Sequence, residues 1–333
     1  MGASFPERHW YSLSWLSVAL APLALGYGAA TAARRFAYRA GWCRVDRLPV
    51  PVVVVGNLVA GGTGKTPLVL WLVAALRARG FHPGIVSRGY RGENARPAAV
   101  PADATAGTAA AARFGDEPVL LAERSGVPVW IGRDRAAAAR ALLAAHPDRD
   151  VVVADDGLQH YALARDFEIA VEDERGYGNG LLLPAGPLRE PPSRQVDATV
   201  VNGPAARSGA FGMRLEPAGF RAVRGPLRAE TADGLRGRRL HAVAGIGHPA
   251  RFFATLAALG LEFTPHRFPD HHAYAPGDLD FAGCDAVLMT EKDAVKCRAF
   301  PRDDLYALRV EARVDERLAD LVAQRLRHGL EAP

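Results

Sequence analysis

The 333-residue chain is long enough to form two packed domains, each with its own hydrophobic core. Hydrophobic residues make up 49% and charged residues 23%, a globular balance that excludes a disordered chain. The three cysteines, Cys43, Cys284 and Cys297, form no CxxC pair. This argues against a cysteine-based zinc site or a disulfide framework and fits a reducing compartment.

Positive charge is concentrated at the N-terminus. The net charge is +5, and the first 50 residues carry six arginines against only Glu7 and Asp46. The rest of the chain is therefore nearly neutral. This distribution favours contact between the N-terminal segment and an anionic membrane surface, and we expect no nucleic-acid partner.

The segment between Arg8 and Arg34 contains no Asp, Glu, Lys or Arg. Its composition fits a cleaved signal peptide, a membrane-spanning helix, a helix in the membrane interface, or a helix packed on the protein's own core. We favour the interfacial helix, because its aromatic residues suit the headgroup level and Arg34, Arg35 and Arg39 suit lipid phosphates. The depth of insertion stays open.

Short apolar runs alternate with helical patterns along most of the chain. Strands are predicted at Val50–Val55, Gly84–Ser87, Val127–Ile131, Val151–Ala154, Phe167–Val171, Phe211–Leu215, Phe220–Val223, Leu240–Ala244, Ala286–Met289 and Leu305–Val310. Helices are predicted at Lys65–Arg79, Pro249–Leu259 and Asp315–His328, with further Ala-rich helical stretches between the early strands. Such alternation predicts an α/β fold with parallel sheets covered on both faces.

Changes in composition divide the chain into four predicted parts. These are an N-terminal apolar helix (1–40), a nucleotide-binding domain (41–205), a β-rich connector (206–237) and a smaller α/β domain (238–333).

A glycine-rich turn lies between the first predicted strand and helix. It comprises Gly61, Gly62, Thr63, Gly64, Lys65 and Thr66. Glycines allow backbone N–H groups to approach phosphate oxygens, Lys65 would bridge the terminal phosphates, and the Thr66 hydroxyl would ligate Mg²⁺. The strict P-loop pattern has glycine where this chain has Val59, but the GGTGKT core in a strand–helix context predicts an ATP site.

Two carboxylates follow another apolar strand. Val151–Ala154 leads directly into Asp155 and Asp156. Ligands bind at the carboxyl ends of strands in open parallel sheets, so these acids are candidates for holding Mg²⁺ directly or through water. A solvated turn is the other interpretation of paired aspartates.

A series of longer motifs resembles one family. In chain order they are GNLVAGGTGKTP (56–67), SRGYRG (87–92), GDEP (115–118), DDGLQH (155–160), GNGLLLPAGPLREP (178–191), FPDHHAY (268–274) and TEKDAVK (290–296). Together they resemble tetraacyldisaccharide 4′-kinase, the lipid A 4′-kinase family. The resemblance extends from the N-terminal apolar helix to near the C-terminus. Val59 and Ala60 depart from the Thr-Val or Ser-Val expected before the glycines.

The resemblance implies transfer of the ATP γ-phosphate to the 4′-hydroxyl of a tetraacyl glucosamine disaccharide 1-phosphate, a lipid A precursor. It further implies a Mg²⁺-dependent enzyme at the cytoplasmic face of the inner membrane. The implied fold is a P-loop α/β domain and a smaller α/β domain joined by a β-ribbon.

The resemblance also implies the catalytic residues. A sugar hydroxyl is a poor nucleophile, so a positioned base helps as the new O–P bond forms. Asp116 is the implied base, with Lys65 on the phosphates and His271 as the hydrogen-bonded partner of Asp116. His272 could equally be that partner, because spacing does not separate two adjacent histidines. Without the resemblance, Asp116 would be read as a helix cap and His271 as a surface residue.

Further residues are candidates for binding the acceptor. Guanidinium groups pair well with phosphate, so Arg88 and Arg91 around Tyr90, together with Arg133 and Arg189, are candidate phosphate ligands. Gln159, His160 and Asn179 are candidate partners of sugar hydroxyls. The loop 176–192 is rich in glycine and proline, as expected of a wall that closes over substrate. Lys292 and Asp293 are expected at the end of a strand, at a nucleotide or an interdomain contact.

One alternative comes from another functional class, the membrane-associated P-loop switches and partition-type ATPases. The lysine that is typical of that class would fall at position 60, where this chain has Ala60. A GTPase would carry an N/TKxD motif, and the spacing of Thr290-Glu291-Lys292-Asp293 does not match it. A nucleotide-binding scaffold without transfer activity is a third possibility. The sequence therefore favours the kinase.

Overall fold

A computed structural model describes residues 9–89, 96–102, 107–203, 209–224 and 229–331 of the chain. Its helices are Trp15–Arg39, Lys65–Ala78, Gly107–Phe114, Asp116–Ser125, Arg135–Ala145, Ala232–Leu235, Pro249–Ala258, the 3₁₀ helix Pro276–Leu279, Glu291–Cys297 and Arg317–Glu331. Its strands are β1 (Val52–Gly56), β2 (Pro83–Ser87), β3 (Ala98–Ala99), β4 (Val129–Ile131), β5 (Val151–Asp155), β6 (Phe167–Asp173), β7 (Ala198–Asn202), β8 (Phe211–Ala222), β9 (Ala229–Glu230), β10 (Leu240–Ala244), β11 (Phe263–Arg267), β12 (Ala286–Thr290) and β13 (Leu305–Val314).

The chain forms two compact units. Unit 1 comprises Met1–Val86, Arg135–Arg214 and Val314–Pro333, and unit 2 comprises Ser87–Asp134 and Leu215–Arg313. This division differs from the linear domains predicted from composition, which placed 87–134 in the nucleotide-binding domain. The physical reason is packing, because the helices Gly107–Phe114 and Asp116–Ser125 lie against the helix Glu291–Cys297 of unit 2.

Unit 1 is built on a parallel sheet with the strand order β2-β5-β1-β6-β7, and the first residues of β8 pair with β7. Every residue of β1 and β5 is buried, as expected for strands covered on both faces. The helix Lys65–Ala78 contributes Leu68, Leu72 and Leu76 to the core. These features confirm the predicted α/β class.

Unit 2 contains four parallel strands, in the order β11-β10-β12-β13. Unit 2 also contains the antiparallel pairs β3–β4 and β8–β9. Phe220, Leu240, Leu256 and Leu288 lie in one of its apolar clusters, which joins the sheet to the helix Pro249–Ala258.

Two local predictions were wrong. The short strands expected at Phe211–Leu215 and Phe220–Val223 form one strand, Phe211–Ala222, which continues through Gly219 at a φ of 89°. Lys292 and Asp293 do not end a strand. β12 ends at Thr290, whose side chain accepts a hydrogen bond from the backbone N–H of Asp293 and so begins the helix Glu291–Cys297.

The helix Trp15–Arg39 is long and apolar enough to cross a membrane, judged by length and composition. One side of it packs on unit 1, since Ser17 and Ala24 are buried and the Tyr27 hydroxyl donates to the backbone oxygen of Arg189 at 3.0 Å. Its other side is exposed and apolar, with Trp15 and Leu25 each 76% exposed. Packing on the protein's own core therefore accounts for one side of the helix and leaves the other side exposed.

Candidate active site

The glycine-rich turn leads from β1 into the helix Lys65–Ala78. Gly61 and Gly64 have φ angles of 104° and 96°, in the left-handed region that glycine adopts without a steric penalty. Gly64 is the N-cap residue, so the backbone N–H groups of the first helical turn follow it directly. The N-terminus of a helix carries a partial positive charge and unsatisfied donors, which makes this turn suitable for phosphate oxygens.

Three side chains hold the backbone of this turn, and none of them was predicted to lie there. Asn57 donates to the Gly61 oxygen at 3.0 Å, Asn202 donates to the Thr63 oxygen at 3.0 Å, and Arg175 donates to the Gly62 oxygen at 2.7 Å. With the turn's carbonyls held in this way, its N–H groups are left for a ligand. Of the three residues, only Asn57 has a local signal in the sequence, since it follows a predicted strand.

Lys65 lies beside the strand-end acids. Its Nζ is 3.4 Å from Oδ1 of Asp156, and Nη1 of Arg189 lies 3.2 Å from the same oxygen. Arg135 donates to the backbone oxygen of Asp156 at 2.6 Å. Burial alone would raise the pKa of Asp156, but the charges of Lys65, Arg189 and Arg135 outweigh it and lower the pKa to about 2. Asp156 is therefore ionised at neutral pH.

The second acid, Asp155, is the last residue of β5 and is only 1% exposed. It is in register with Val55 of β1, the strand that precedes the glycine-rich turn. Thr66 follows Lys65 in the first turn of the helix. Mg²⁺ is typically held by one or two carboxylates together with substrate phosphates, and a hydroxyl and two carboxylates fit that donor set. Among the described residues, no group of three or more His, Cys, Asp or Glu forms a metal site from protein ligands alone.

A carboxylate–imidazole pair lies in unit 2. Oδ2 of Asp116 is 2.9 Å from Nδ1 of His271, and Oδ1 accepts the backbone N–H of Glu117 at 3.0 Å. Asp116 begins the helix Asp116–Ser125 and is 6% exposed. Burial would raise the pKa of Asp116, but the hydrogen bond from His271 and the nearby Lys292 lower it below the ordinary aspartate value. His272 pairs instead with Asp278, at 2.9 Å.

Lys292 lies next to this pair, and the sequence analysis did not place it there. Its Nζ is 3.0 Å from Oε1 of Glu117 and 3.4 Å from Nε2 of His271. Burial would lower the pKa of Lys292, but the negative charges of Glu117, Asp116 and Asp270 outweigh it and raise the pKa above the ordinary lysine value. Lys292 is therefore a permanent cation beside the imidazole.

The loop that carries His271 is held by a buried aspartate. Asp293 is wholly buried and accepts the backbone N–H of Gly245 at 3.0 Å, and the Gly245 oxygen accepts the N–H of His271 at 3.1 Å. His271 itself has a φ of 59°, which histidine adopts more readily than most residues. Lys296 donates to Oδ1 of Asp293 at 2.7 Å. The TEKDAVK segment therefore contacts the imidazole through Lys292 and holds the backbone of His271 through Asp293 and Gly245.

The predicted acceptor ligands are distributed over both units. In unit 1, Arg189 pairs with Asp156, and Gln159 donates to the Asn57 oxygen at 3.3 Å. His160 lies in the same turn, where its backbone N–H donates to the Gly157 oxygen at 2.9 Å. In unit 2, Arg88 and Arg133 are exposed. Tyr90 and Arg91 lie outside the described residues.

The Asn179 side chain forms hydrogen bonds with the backbone of its own loop and of the N-terminal segment. Its Nδ2 donates to the backbone oxygens of His9 and Ala185 at 3.1 and 2.9 Å, and its Oδ1 accepts the N–H of Leu181 at 3.0 Å. These bonds tie the loop 176–192 to the N-terminal segment. The predicted contact between Asn179 and a sugar hydroxyl stays a prediction, and it would require the amide to exchange some of these hydrogen bonds.

The described chain is similar to proteins of one family. Residues 16–327 match the family model described as tetraacyldisaccharide-1-P 4′-kinase. The tetraacyldisaccharide 4′-kinase of Azoarcus sp. is 51% identical over 329 residues, which cover 96% of this chain and 95% of that protein. The enzyme of the same name from Methylobacillus flagellatus is 48% identical and is covered over 99% of both chains.

A solved structure agrees with these sequence relationships. The crystal structure of LpxK from Aquifex aeolicus in complex with ATP matches with a TM-score of 0.78 and 28% identity. The match covers 93% of this chain and 99% of that one. The glycine-rich turn, the strand-end acids and the Asp116–His271 pair thus occur in a chain that is related to this family over nearly its whole length. The chain belongs to the tetraacyldisaccharide-1-P 4′-kinase family.

Proposed function

We propose that this kinase transfers the γ-phosphate of ATP to the 4′-hydroxyl of a tetraacyl glucosamine disaccharide 1-phosphate. The observation that carries the proposal is the P-loop lysine facing the strand-end aspartates, with Lys65 3.4 Å from Asp156, in a chain that matches the family over residues 16–327. The names of the relatives and the ATP complex of the Aquifex aeolicus protein support both substrates.

The nucleotide phosphates would bind on the turn 61–66. Backbone N–H groups of the turn would donate to phosphate oxygens, and Lys65 would exchange its contact with Asp156 for the terminal phosphates. Mg²⁺ would be held by Thr66 and by Asp155 or Asp156, and it would neutralise charge on the phosphates. The release of Asp156 from Lys65 would leave a carboxylate that is already ionised for this purpose.

Asp116 would act as the general base. As the 4′-oxygen bonds to the γ-phosphorus, its proton passes to the Asp116 carboxylate, the bond to the β-phosphate oxygen breaks, and ADP leaves. The lowered pKa of Asp116 keeps the carboxylate ionised at neutral pH. His271 would hold the carboxylate through its Nδ1 and direct the remaining lone pairs toward the hydroxyl. Arg88, Arg133 and Arg189 stay candidates for the acceptor's phosphate.

The exposed side of the helix Trp15–Arg39 would contact the cytoplasmic face of the inner membrane, where the acyl chains of the acceptor reside. Exposed apolar side chains suit insertion among lipids, and the exposed Arg34 and Arg39 suit anionic headgroups. The kinase would then reach the acceptor while the acyl chains of that lipid stay in the bilayer.

ATP consumption as a function of acceptor tests this function. Purified protein in detergent is mixed with ATP and Mg²⁺ while the disaccharide 1-phosphate lipid is titrated. We expect ADP to form in a one-to-one ratio with added lipid and to stop when the lipid is exhausted. A steady rate of ATP hydrolysis that is indifferent to lipid would support a P-loop switch instead.

A further inference from the structure

The helices Asp116–Ser125 and Glu291–Cys297 of unit 2 are linked by ion pairs along their length. Lys292 pairs with Glu117 at 3.0 Å, and Arg124 pairs with Glu291. Arg298, directly after the second helix, pairs with Glu123. Lys292 also contacts the ring of His271, since its Nζ is 3.4 Å from Nε2. Lys292 therefore contacts an imidazole in addition to the carboxylate with which it pairs across the two helices.

The chemistry of the two groups fixes the direction of this contact. A lysine ammonium has three donors and no acceptor, so the Nε2 atom that faces it must accept. In a neutral imidazole one nitrogen accepts and the other carries the proton. With Nε2 accepting from Lys292, the proton lies on Nδ1, which is 2.9 Å from Oδ2 of Asp116. Lys292 at Nε2 and the Asp116 carboxylate at Nδ1 therefore favour the same tautomer of His271.

We propose that Lys292 is a positioning residue that holds His271 in the Nδ1–H tautomer, so that the imidazole donates its proton to the Asp116 carboxylate. This inference rests on the proposed function, in which that carboxylate is the catalytic base. In the opposite tautomer the lone pair of Nδ1 would face an anionic oxygen, and the hydrogen bond that orients the base would be lost.

The other charged groups around the imidazole sharpen the inference. Asp270 lies on the same side as Lys292, with Oδ2 3.8 Å from Nε2 of His271. A carboxylate there favours a proton on Nε2, which is the tautomer that would turn the ring's lone pair toward Asp116. Lys292 is 3.7 Å from the other oxygen of Asp270 and therefore offsets that effect. Glu117 is the remaining carboxylate in contact with the ammonium.

Nuclear magnetic resonance reads the tautomer directly. The full chain is labelled with ¹⁵N-histidine, and long-range ¹H–¹⁵N correlations distinguish protonated from unprotonated ring nitrogens. The signals of His271 are assigned by their absence in His271→Gln. We expect the native protein to show protonated Nδ1 and unprotonated Nε2, and Lys292→Met to shift His271 toward the Nε2–H form or to a mixture.

Matched variants separate positioning from packing. Arg298→Met also removes a cation that links the same two structural regions, through Glu123, so it should leave the His271 signals unchanged. Lys292→Arg keeps an obligatory donor and should retain the native tautomer. Because Lys292→Met leaves the Glu117 carboxylate facing no ammonium, the double variant Lys292→Met/Glu117→Gln is measured in parallel and should show the same shift.

Kinetics supply the second readout. For Lys292→Met we expect kcat to fall by about 10-fold or more, within the range of a misoriented general base, with the KM for ATP unchanged. The proposal is overturned if His271 keeps its native tautomer in Lys292→Met, or if Arg298→Met shifts it equally. A tautomer shift with no change in kcat would instead refute Asp116 as the base, so the two failures are distinguishable.

Discussion

Replacing Asp116 with asparagine removes a proton acceptor from unit 2 while hardly changing side-chain volume. The amide oxygen of asparagine can still accept from Nδ1 of His271, which is 2.9 Å from Oδ2 in the native protein. The helix Asp116–Ser125 can still begin at this position, because asparagine is a good residue near a helix N-terminus. The substitution therefore isolates the basicity of the carboxylate from its structural role.

The expected loss follows from the role of a general base. Such a base contributes about 10²–10⁴-fold to the rate, so kcat should fall by that factor in Asp116→Asn. This corresponds to roughly 3–5 kcal/mol of transition-state free energy. The dissociation constant of ATP should change by less than about twofold, because the proposed ligands of the ATP phosphates and of Mg²⁺ lie on the turn 61–66 or at the end of β5.

The assay measures ADP release in detergent with the acceptor lipid at saturation, and calorimetry measures ATP binding. Asp278→Asn is the matched control, because Asp278 forms the neighbouring carboxylate–imidazole pair with His272 at the same distance of 2.9 Å. We expect the control to retain native kcat. Native turnover in Asp116→Asn, or an equal loss of turnover and of ATP affinity, would refute the assignment of Asp116 as base.

Three further predictions concern unit 1. Gly64→Ala should abolish measurable ATP binding, because its φ is 96° and a Cβ would lie 2.5 Å from Nδ2 of Asn202; calorimetry that detects native affinity would contradict this. Asp156→Asn should cost stability above about pH 4 but not near pH 2, because the folded-state pKa is lowered to about 2 and its stabilisation is lost as pH falls through that value. Denaturant titrations of both proteins across this pH range check the convergence, and a constant difference would contradict it. The double variant Trp15→Ser/Leu25→Ser should bind anionic vesicles more weakly in a sedimentation assay, and undiminished sedimentation would count against membrane contact.

Local signals in the sequence were sufficient for much of unit 1. Within the predicted runs, Val52–Val55 and Val151–Ala154 are fully buried in parallel strands, and strands of that kind are recognisable from composition alone. The turn 61–66 is equally local, since strand, glycines, lysine and helix are contiguous. Such features depend on neighbouring residues, and that is why the sequence predicts them.

The pairing of Asp116 with His271 is different, because the two residues are 155 positions apart. No periodicity connects them, and only the family resemblance indicated the pair. The choice between His271 and His272 depended on backbone conformation, since His271 adopts a φ of 59° and the next histidine pairs with Asp278. A backbone angle of that kind has no signature in the sequence.

Long-range polar contacts account for what the sequence analysis missed. Asn202 and Arg175 reach the glycine-rich turn from 139 and 113 positions away. Lys292 was expected at a strand end because the apolar run of β12 precedes it, but Thr290 caps a helix there and directs the lysine toward His271. Each contact depends on how distant segments of one unit pack together.

Mass analysis of the lipid after reaction with ATP tests the proposed phosphoryl transfer most directly. We expect the disaccharide 1-phosphate to gain one phosphoryl group and fragmentation to place it on the 4′-oxygen. The native protein should form this product readily, and Asp116→Asn should not. An unmodified lipid recovered alongside ADP, or a phosphate on another hydroxyl, would contradict the proposed transfer.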